Sequence, residues 1–337
     1  MMRVWIAVAW VCLPCALVAQ KKPKNGEPDN RSGYDRSARA TLLHDAIVYV
    51  GADDAAQKVS EVTPGHEVVV IQRSGPWIKV FANSDTPDQP EDRPEFAEEQ
   101  VQSPESGWIK DKGVVDAHTE GGDAILFGTA ANLEEEASEP HAPKDAASAA
   151  HLLYRRVWEY FPDSPLASEA AFRSADIRWQ LEKRDVSTLP SAKEQESYLR
   201  PQLYEGEMKR VMKMYPGSKQ AMLAAYDLID NKLCGDWQGL PKCPEMEAVL
   251  YLKYADQFPE SPRAAEAMYH AIYRKGVLVS MYNFDEDKKR ADDAAKQVQA
   301  LAAEMKDRFG KTDYAARAQS IAYKVRQGIP IFGSDRD

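Results

Sequence analysis

A chain of 337 residues, of which 44% are hydrophobic, is long enough to form two or three domains. Its formal net charge of −10 argues against general nucleic-acid binding, which requires a basic surface. Beyond the N-terminal segment no apolar run approaches the ~18 residues of a membrane-spanning helix, so we expect no transmembrane segment in the mature chain.

Residues 1–19 have the pattern of a secretory signal peptide. Arg3 supplies the positive charge, Val4–Leu13 is an unbroken apolar run, and Ala19 is the expected cleavage point. The sequence therefore predicts an exported protein, either periplasmic or associated with the cell envelope. Cys15 leaves a lipid anchor open, but the residues before it do not form a lipobox, which favours a soluble protein.

Cleavage after Ala19 leaves only Cys234 and Cys243 in the mature chain. In an oxidising compartment two cysteines this close most simply form a disulfide, and a loop this short gives roughly 2–3 kcal/mol of stabilisation. A zinc site is the alternative, but the sequence nearby offers no third and fourth ligands.

Residues 20–39 are polar and rich in Lys, Asn, Pro and Gly, which predicts a disordered leader. Residues 40–116 change to short β-branched runs separated by turns, which predicts a small all-β barrel. The five predicted strands are Ala46–Val50, Lys58–Val62, His66–Ile71, Trp77–Phe81 and Gly107–Lys110. Between the last two lies an acidic, Pro-rich insert at residues 82–106.

The strand region resembles a bacterial SH3-like (SH3b) domain. The similarity rests on the Pro64-Gly65 turn before a Val-rich strand, on Trp77-Ile78-Lys79-Val80 and on Gly107-Trp108-Ile109. The resemblance implies a barrel that binds cell-wall peptides or other ligands through aromatic side chains. Tyr49, Trp77 and Trp108 are the candidate ligand-binding residues, and the alternative is that these rings fill the core of the barrel.

From Asp123 onward the apolar residues recur at helical spacing, and residues 117–327 are predicted to form an all-α domain of about nine helices. The nine predicted helices are 124–133, 145–161, 165–183, 193–215, 219–232, 244–258, 262–279, 286–309 and 313–327. Residues 328–337 are a non-helical tail, whose apolar residues are expected to dock on the last helix.

A repeated corner joins these helices in pairs. Phe161-Pro162-Asp163-Ser164-Pro165 recurs as Phe258-Pro259-Glu260-Ser261-Pro262, and looser copies begin at Tyr215 and Phe309. The first proline stops a helix, the serine accepts from free N–H groups of the next one, and the second proline suits position N1. The residues assigned to this motif are Pro162, Ser164, Pro165, Pro216, Ser218, Pro259, Ser261 and Pro262.

Small residues follow each corner at spacings of three and four, so they share one face of the following helix. Ala167, Ala170 and Ser174 form the first of these stripes, and small residues on such a face let neighbouring helices approach closely. A corner and a stripe repeated four times predict a helical solenoid.

These corners resemble tetratricopeptide-type repeats, in a variant found in envelope proteins such as the tetratricopeptide lipoprotein of the outer-membrane β-barrel assembly machinery. The fold class predicted is thus multidomain, with an SH3-like barrel followed by a tetratricopeptide-like solenoid. The resemblance implies protein–protein binding, here of envelope proteins or their peptide segments, with outer-membrane or envelope assembly as the implied setting.

The sequence contains none of the common catalytic or metal-binding motifs, and its six histidines are scattered. We therefore expect no catalytic residue, no metal and no cofactor. Two functions remain open: a scaffold that binds envelope proteins through its helices, and a module that binds peptidoglycan through its barrel.

Overall fold

The computed structural model describes residues 38–85 and 105–333. The predicted signal peptide, nearly all of the leader, most of the acidic insert and residues 334–337 lie outside the described residues. The described part consists of seven antiparallel strands followed by nine α-helices, and both belong to one compact unit. The strands are β1 (Arg39–Leu42), β2 (Ala46–Tyr49), β3 (Lys58–Val62), β4 (Glu67–Ser74), β5 (Trp77–Ala82), β6 (Glu105–Lys110) and β7 (Val114–Asp116).

The strands form one sheet in the order β3-β2-β6-β5-β4-β1-β7. Strands β3 and β7 are its edges, and within the described residues no pairing joins them, so the sheet is open where the sequence predicts a barrel. Strands β1 and β7 were not predicted. Both strands are short. β1 pairs with β4 and with β7, so the two strands form through pairing with distant residues and their own composition does not mark them.

One face of the sheet forms an apolar core because the strands alternate with a period of two. Ile78 and Val80 of β5 are fully buried together with Ile109 of β6, whereas Phe81 is 43% exposed on the other face. Val48, Val62 and Val68 belong to the same core.

Gly65, in the turn between β3 and β4, lies directly against the helices. Its φ of 84° is in the left-handed region. A Cβ at this position would lie 2.6 Å from Leu152 Cβ and 2.9 Å from the backbone N of Leu153. The turn therefore requires glycine both for its backbone conformation and for the close approach of the sheet to the second helix.

Charged side chains reinforce this contact. The Arg156 Nε donates to the Gly65 carbonyl at 3.0 Å, and its guanidinium pairs with Glu67, Asp85 and Glu159. We call Arg39, Glu67, Asp85, Arg156 and Glu159 the junction cluster, since Arg39 also pairs with Glu67. Burial would lower the pKa of Arg156, but the surrounding carboxylates hold it above its ordinary value. Arg156 therefore remains charged, and its ion pairs tie the sheet to the helices.

The helices are α1 (Gly122–Ser138), α2 (Ala146–Tyr160), α3 (Ala167–Ser187), α4 (Gly206–Met214), α5 (Lys219–Asp227), α6 (Lys242–Gln257), α7 (Ala264–Phe284), α8 (Lys288–Phe309) and α9 (Asp313–Arg326). Each helix packs against the next within the runs α1–α3, α4–α5 and α6–α9, and α3 also contacts α4 and α5. Separate apolar clusters lie along this succession, which makes the region solenoid-like.

The predicted fourth helix over residues 193–215 is wrong in its first half. Residues 190–193 and 197–199 are 3₁₀ turns, an extended stretch follows, and α4 begins only at Gly206. Pro201 disfavours helix at the residue before it and lacks an N–H donor. The side chain of Asn231 then holds the Leu203 backbone in place, because its Oδ1 accepts from the Leu203 N and its Nδ2 donates to the Leu203 O, both at 2.9 Å.

The corner serines bind backbone N–H groups, though not all in the predicted geometry. Ser218 is the N-cap of α5, and its hydroxyl accepts from the Ala221 N at 3.1 Å. Ser164 and Ser261 accept instead from the residue two positions on, each at 3.1 Å. Because α3 and α7 begin at Ala167 and Ala264, Pro165 and Pro262 lie in a preceding turn and not at N1.

The small-residue stripes are buried after all four corners. The corner aromatics Phe161, Tyr215, Phe258 and Phe309 are half-buried and pack against the adjoining apolar clusters. The buried stripe residues are Ala167, Ala170, Ser174, Ala221, Ala224, Leu228, Ala264, Ala267, Ala271, Ala315, Ala318 and Ala322. The pattern read from the sequence therefore identifies the helix faces that pack together.

The tail reaches the last helix, as predicted, since Ile331 lies in one apolar cluster with Ile321 of α9, and it also docks on α7. The Ile331 N donates to the Ser280 Oγ at 2.9 Å, and the Tyr273 hydroxyl donates to the Phe332 carbonyl at 3.0 Å. Gly276 makes room for this contact, because a Cβ there would lie 2.9 Å from both Ile321 and Ile331.

Candidate functional site

Tyr49, Trp77 and Trp108 come together on the outer face of the sheet. Tyr49 is directly opposite Trp108 across β2 and β6, and Trp108 is opposite Lys79 across β6 and β5. Trp77 lies two residues before Lys79 and opposite Lys110, so all five side chains share one face. This face is opposite the apolar core that contains Ile78, Val80 and Ile109, although Trp77 itself is buried.

The rings of this aromatic face are ordered by one another and by a lysine. The Tyr49 and Trp77 rings make an edge-to-face contact with centroids 5.6 Å apart. The Lys110 Nζ lies 5.6 Å from the centre of the Trp77 ring and pairs with Asp54 at 2.7 Å. Trp77 is only 8% exposed, while Tyr49 and Trp108 are half-buried. Trp108 and Tyr49 thus offer more surface for stacking on a sugar or a peptide than Trp77 does.

A second candidate site is a cleft of about 450 Å³ in the helical region, a size suited to a small ligand or a few residues of a peptide. It opens where the unpredicted extended stretch replaces the first half of the predicted fourth helix. We call it the helical cleft. Its lining residues are Lys183, Val186, Ser187, Ala192, Lys193, Arg200, Pro201, Gln202, Leu203, Tyr226, Asp230, Asn231, Leu233, Tyr251 and His270.

One wall of the helical cleft is fixed by backbone hydrogen bonds. Arg200 donates from its Nε to the Ala192 carbonyl at 3.2 Å and from its Nη1 to the Leu233 carbonyl. Together with the two bonds between Asn231 and Leu203, these contacts hold the irregular stretch without helical hydrogen bonds. The wall is therefore preformed, which lowers the entropy cost of binding.

Aromatic rings from three elements form the other side of the helical cleft. The Tyr226 ring lies 6.2 Å from Tyr251 and 5.2 Å from Tyr254, and the His270 ring lies 5.0 Å from Tyr251. Arg263 lies over Tyr226 at 5.4 Å. Burial raises the pKa of Tyr226 and keeps its hydroxyl neutral. The cleft thus combines apolar ring faces with neutral hydrogen-bonding groups.

Three carboxylates lie beside the cleft. Burial, and then the charges of Asp176 and Asp230, raise the pKa of Asp227 to about 7. Burial likewise raises the pKa of Asp176. Lys183 pairs with Asp230 at 2.5 Å and Arg263 is also close, but the two cations only partly offset the repulsion. This edge of the cleft changes its charge near neutral pH.

The disulfide loop begins directly after Leu233, a lining residue of the cleft. Cys234 and Cys243 form the predicted disulfide, with Cα atoms 6.0 Å apart, so these two residues are not zinc ligands. Glu247 accepts from the Cys234 N at 2.8 Å and from the Trp237 Nε1 at 3.3 Å, and Arg274 donates to its other oxygen at 2.7 Å. We call Trp237, Glu247 and Arg274 the loop anchor.

The sequence predicted the disulfide and named Tyr49, Trp77 and Trp108 as candidates, but it missed the helical cleft and the loop anchor. Residues of the cleft come from five separate segments, and only Pro201 could have shown that the predicted fourth helix is interrupted. Glu247 and Arg274 sit at helical positions where charged residues are usually exposed, and nothing local marks them as buried.

In residues 38–85 and 105–333 no three His, Cys, Asp or Glu side chains are grouped so as to hold a metal ion. Across the same ranges, every helix is too short or too polar to span a bilayer. Comparison with protein-family models gives no match, and neither does comparison with curated proteins.

Proposed function

We propose that this chain is an exported, non-catalytic scaffold whose helical cleft binds a segment of another cell-envelope protein. In this proposal the sheet region is an SH3-like barrel, the helices form a tetratricopeptide-like solenoid, and residues 1–19 direct export. The observation that carries the proposal is the helical cleft, which has a fixed wall and an aromatic side and measures about 450 Å³.

The lining of the cleft suits an extended peptide better than a small charged metabolite. Tyr226, Tyr251 and His270 offer ring faces for apolar side chains, and Gln202 and Lys193 offer exposed polar groups at the rim. Of the cations that line the cleft, Lys183 is paired with Asp230 and Arg200 donates to the Ala192 and Leu233 carbonyls, so both are engaged within the fold. Mixed apolar and polar lining is typical of sites that read a few side chains of a partner segment.

Site-specific photocrosslinking tests this proposal. A photoreactive amino acid replaces Gln202 inside the cleft, and a matched variant carries it at Lys296 of α8, whose side chain is 79% exposed. In an envelope fraction we expect a discrete adduct from position 202 and none of the same mass from position 296. If both positions give the same adducts, or position 202 gives none, the cleft is not the binding surface.

The aromatic face supports a second candidate function, in which the sheet binds peptidoglycan. Trp108, Tyr49 and the two lysines form a surface on which sugar rings or short peptides stack. Co-sedimentation of the full chain with purified peptidoglycan measures this function, and Trp108→Ala should reduce the bound fraction several-fold. A chain that stays in the supernatant, or a Trp108→Ala variant that binds as well as wild type, removes this candidate.

A further inference from the structure

An apolar groove of about 380 Å³ lies between the disulfide loop, the C-terminal half of α7 and the tail. Trp237, Val277 and Ile331 form its buried floor. Phe284 and Phe332 stand on its rims with 89% and 78% of their surface exposed, and they are the most exposed large hydrophobic residues in the described part of the chain. Water-facing phenyl rings on the two sides of one groove are typical of an interaction surface.

All three walls of this groove are held in place. The disulfide and the loop anchor fix the loop that carries Trp237. The tail is fixed by the hydrogen bonds from the Ile331 N to Ser280 and from Tyr273 to the Phe332 carbonyl. The groove is therefore a preformed feature of the fold, and a ligand would meet it with little reordering.

The charge around the groove identifies the chemistry of the ligand. Among the described residues that line it, the only ionisable ones are Asp236 and Asp285, both acidic. A second copy of the chain would bring the same acidic rim and a net charge of −10 to the contact, which disfavours self-association. A basic partner would instead be attracted.

We propose that this groove binds a peptide segment of a partner protein in which a large apolar side chain is flanked by Lys or Arg. The apolar side chain enters between Phe284 and Phe332, and the flanking cations pair with Asp236 and Asp285. This surface is separate from the helical cleft, and its binding does not depend on the function proposed for the cleft.

Fluorescence anisotropy with three labelled nonapeptides and the purified, disulfide-intact full chain tests the proposal. The first peptide has a central Phe flanked by lysines, the second has glutamates in place of the lysines, and the third has Ser in place of the Phe. We expect saturable binding of the first peptide, binding of the second weakened by about tenfold or more, and no saturable binding of the third.

Two variants and a control assign the binding to the groove. Phe284→Ser should weaken binding of the first peptide about tenfold. Asp236→Asn combined with Asp285→Asn should remove the preference for lysine over glutamate, and Asn can still accept the hydrogen bond that Asp236 receives from the Gln238 N at 3.1 Å. Tyr198→Ser, at a ring that is 74% exposed outside the groove, should change nothing.

Three results would overturn the proposal. Equal binding of the lysine and glutamate peptides shows that the acidic rim does not select the ligand. Unchanged binding by a folded Phe284→Ser variant, checked by circular dichroism, places the peptide elsewhere. A dimer that Phe284→Ser abolishes in size-exclusion chromatography with light scattering assigns the groove to a second copy.

Discussion

Arg156 and Arg274 are both almost fully buried, with side chains that are 2% exposed, yet they hold different kinds of structure. Arg156 of α2 pairs with Glu67 and Asp85 of the sheet region, so its partners are distant in sequence and belong to another layer. Arg274 of α7 pairs with Glu247 of the neighbouring helix, which holds a loop. Arg156 therefore joins the sheet to the helices, whereas Arg274 positions the disulfide loop through Glu247.

The disulfide loop and the junction cluster also differ in the number and kind of interactions that hold them in place. The disulfide loop has both a covalent bond and the loop anchor. The junction cluster has the Gly65 contact and its charges, with no covalent link beyond the chain itself. Removing one partner of a buried ion pair leaves an uncompensated charge in a low dielectric, whatever the net contribution of the intact pair. The junction should therefore be the more sensitive of the two regions.

The first prediction concerns the junction. Arg156→Met removes the cation shared by Glu67, Asp85 and Glu159. Arg39 still pairs with Glu67 and Arg155 with Glu159, so we expect a loss of about 3 kcal/mol in the free energy of unfolding, at the low end for a broken buried ion pair. Urea unfolding followed by circular dichroism measures it. The matched control is Arg317→Met, whose side chain is 58% exposed and pairs with Asp313 at 3.0 Å, and which should cost about 1 kcal/mol or less. Equal losses in the two variants would show that burial does not set the cost.

The second prediction tests whether the disulfide and the loop anchor can each hold the loop without the other. Replacing Cys234 and Cys243 by Ser removes the covalent closure of a nine-residue separation and should cost about 2–3 kcal/mol. Glu247→Gln keeps an acceptor for the Cys234 N but removes the charge that faces Arg274.

If the disulfide or the loop anchor alone can hold the loop, the variant that lacks both should lose about 1 kcal/mol more of its free energy of unfolding than the sum of the separate losses. A double-mutant cycle measures this difference. Additive losses would mean that the disulfide and the loop anchor stabilise different parts of the structure.

Local signals predicted much of the fold, and long-range contacts account for the rest. Pro162, Ser218 and the alanine stripes act within one or two turns, so the helix boundaries at the corners and the buried helix faces could be read directly. Tyr49, Trp77 and Trp108 were chosen because the SH3-like resemblance implies ligand binding through aromatic side chains, and their common face became visible only from the strand pairing. The helical cleft and the junction cluster could not be found, because they depend on pairs such as Leu203 with Asn231 and Glu67 with Arg156.

The third prediction concerns Asp227, whose ionised form is destabilised in the folded chain by burial and by neighbouring carboxylates. Its pKa is raised to about 7 by burial and then by Asp176 and Asp230, although Lys183 and Arg263 are nearby. The folded chain therefore binds this proton more tightly than the unfolded chain does, and its contribution to stability declines as pH rises from about 4 to 7.

Asp227→Asn imitates the protonated form at every pH. At pH 8 the variant should be more stable than wild type by on the order of 1–2 kcal/mol, after allowing for solvent screening. The difference should shrink as pH falls through 7 towards 4. Thermal unfolding at several pH values measures it, with Asp293→Asn of α8 as an exposed control that should show no such trend. A variant no more stable than wild type at pH 8 would contradict the raised pKa of Asp227.

The last prediction has the smallest expected effect. It compares the corner serine Ser164 with the corner serine Ser261. Ser261 is 7% exposed, and its hydroxyl lies 2.6 Å from that of Tyr254 and accepts from the Arg263 N. Ser164 is half-buried and its hydroxyl donates to Asp123 at 2.6 Å. We expect Ser261→Ala to cost about 1–2 kcal/mol, because it leaves a backbone donor without its acceptor in a buried corner, and Ser164→Ala about 0.5–1 kcal/mol.

The two serines differ further in how pH affects their loss. The hydrogen bond from Ser164 lowers the pKa of Asp123, so the stability it provides is present above the ordinary carboxyl pKa and is lost as pH falls below it. The cost of Ser164→Ala should therefore diminish in acid, whereas that of Ser261→Ala should not. Chemical unfolding of both variants at pH 7 and pH 3 distinguishes them. The copy of the motif at Ser164 would then be stabilised by the ionised Asp123, and the copy at Ser261 by its neutral hydrogen bonds with Tyr254 and the Arg263 N.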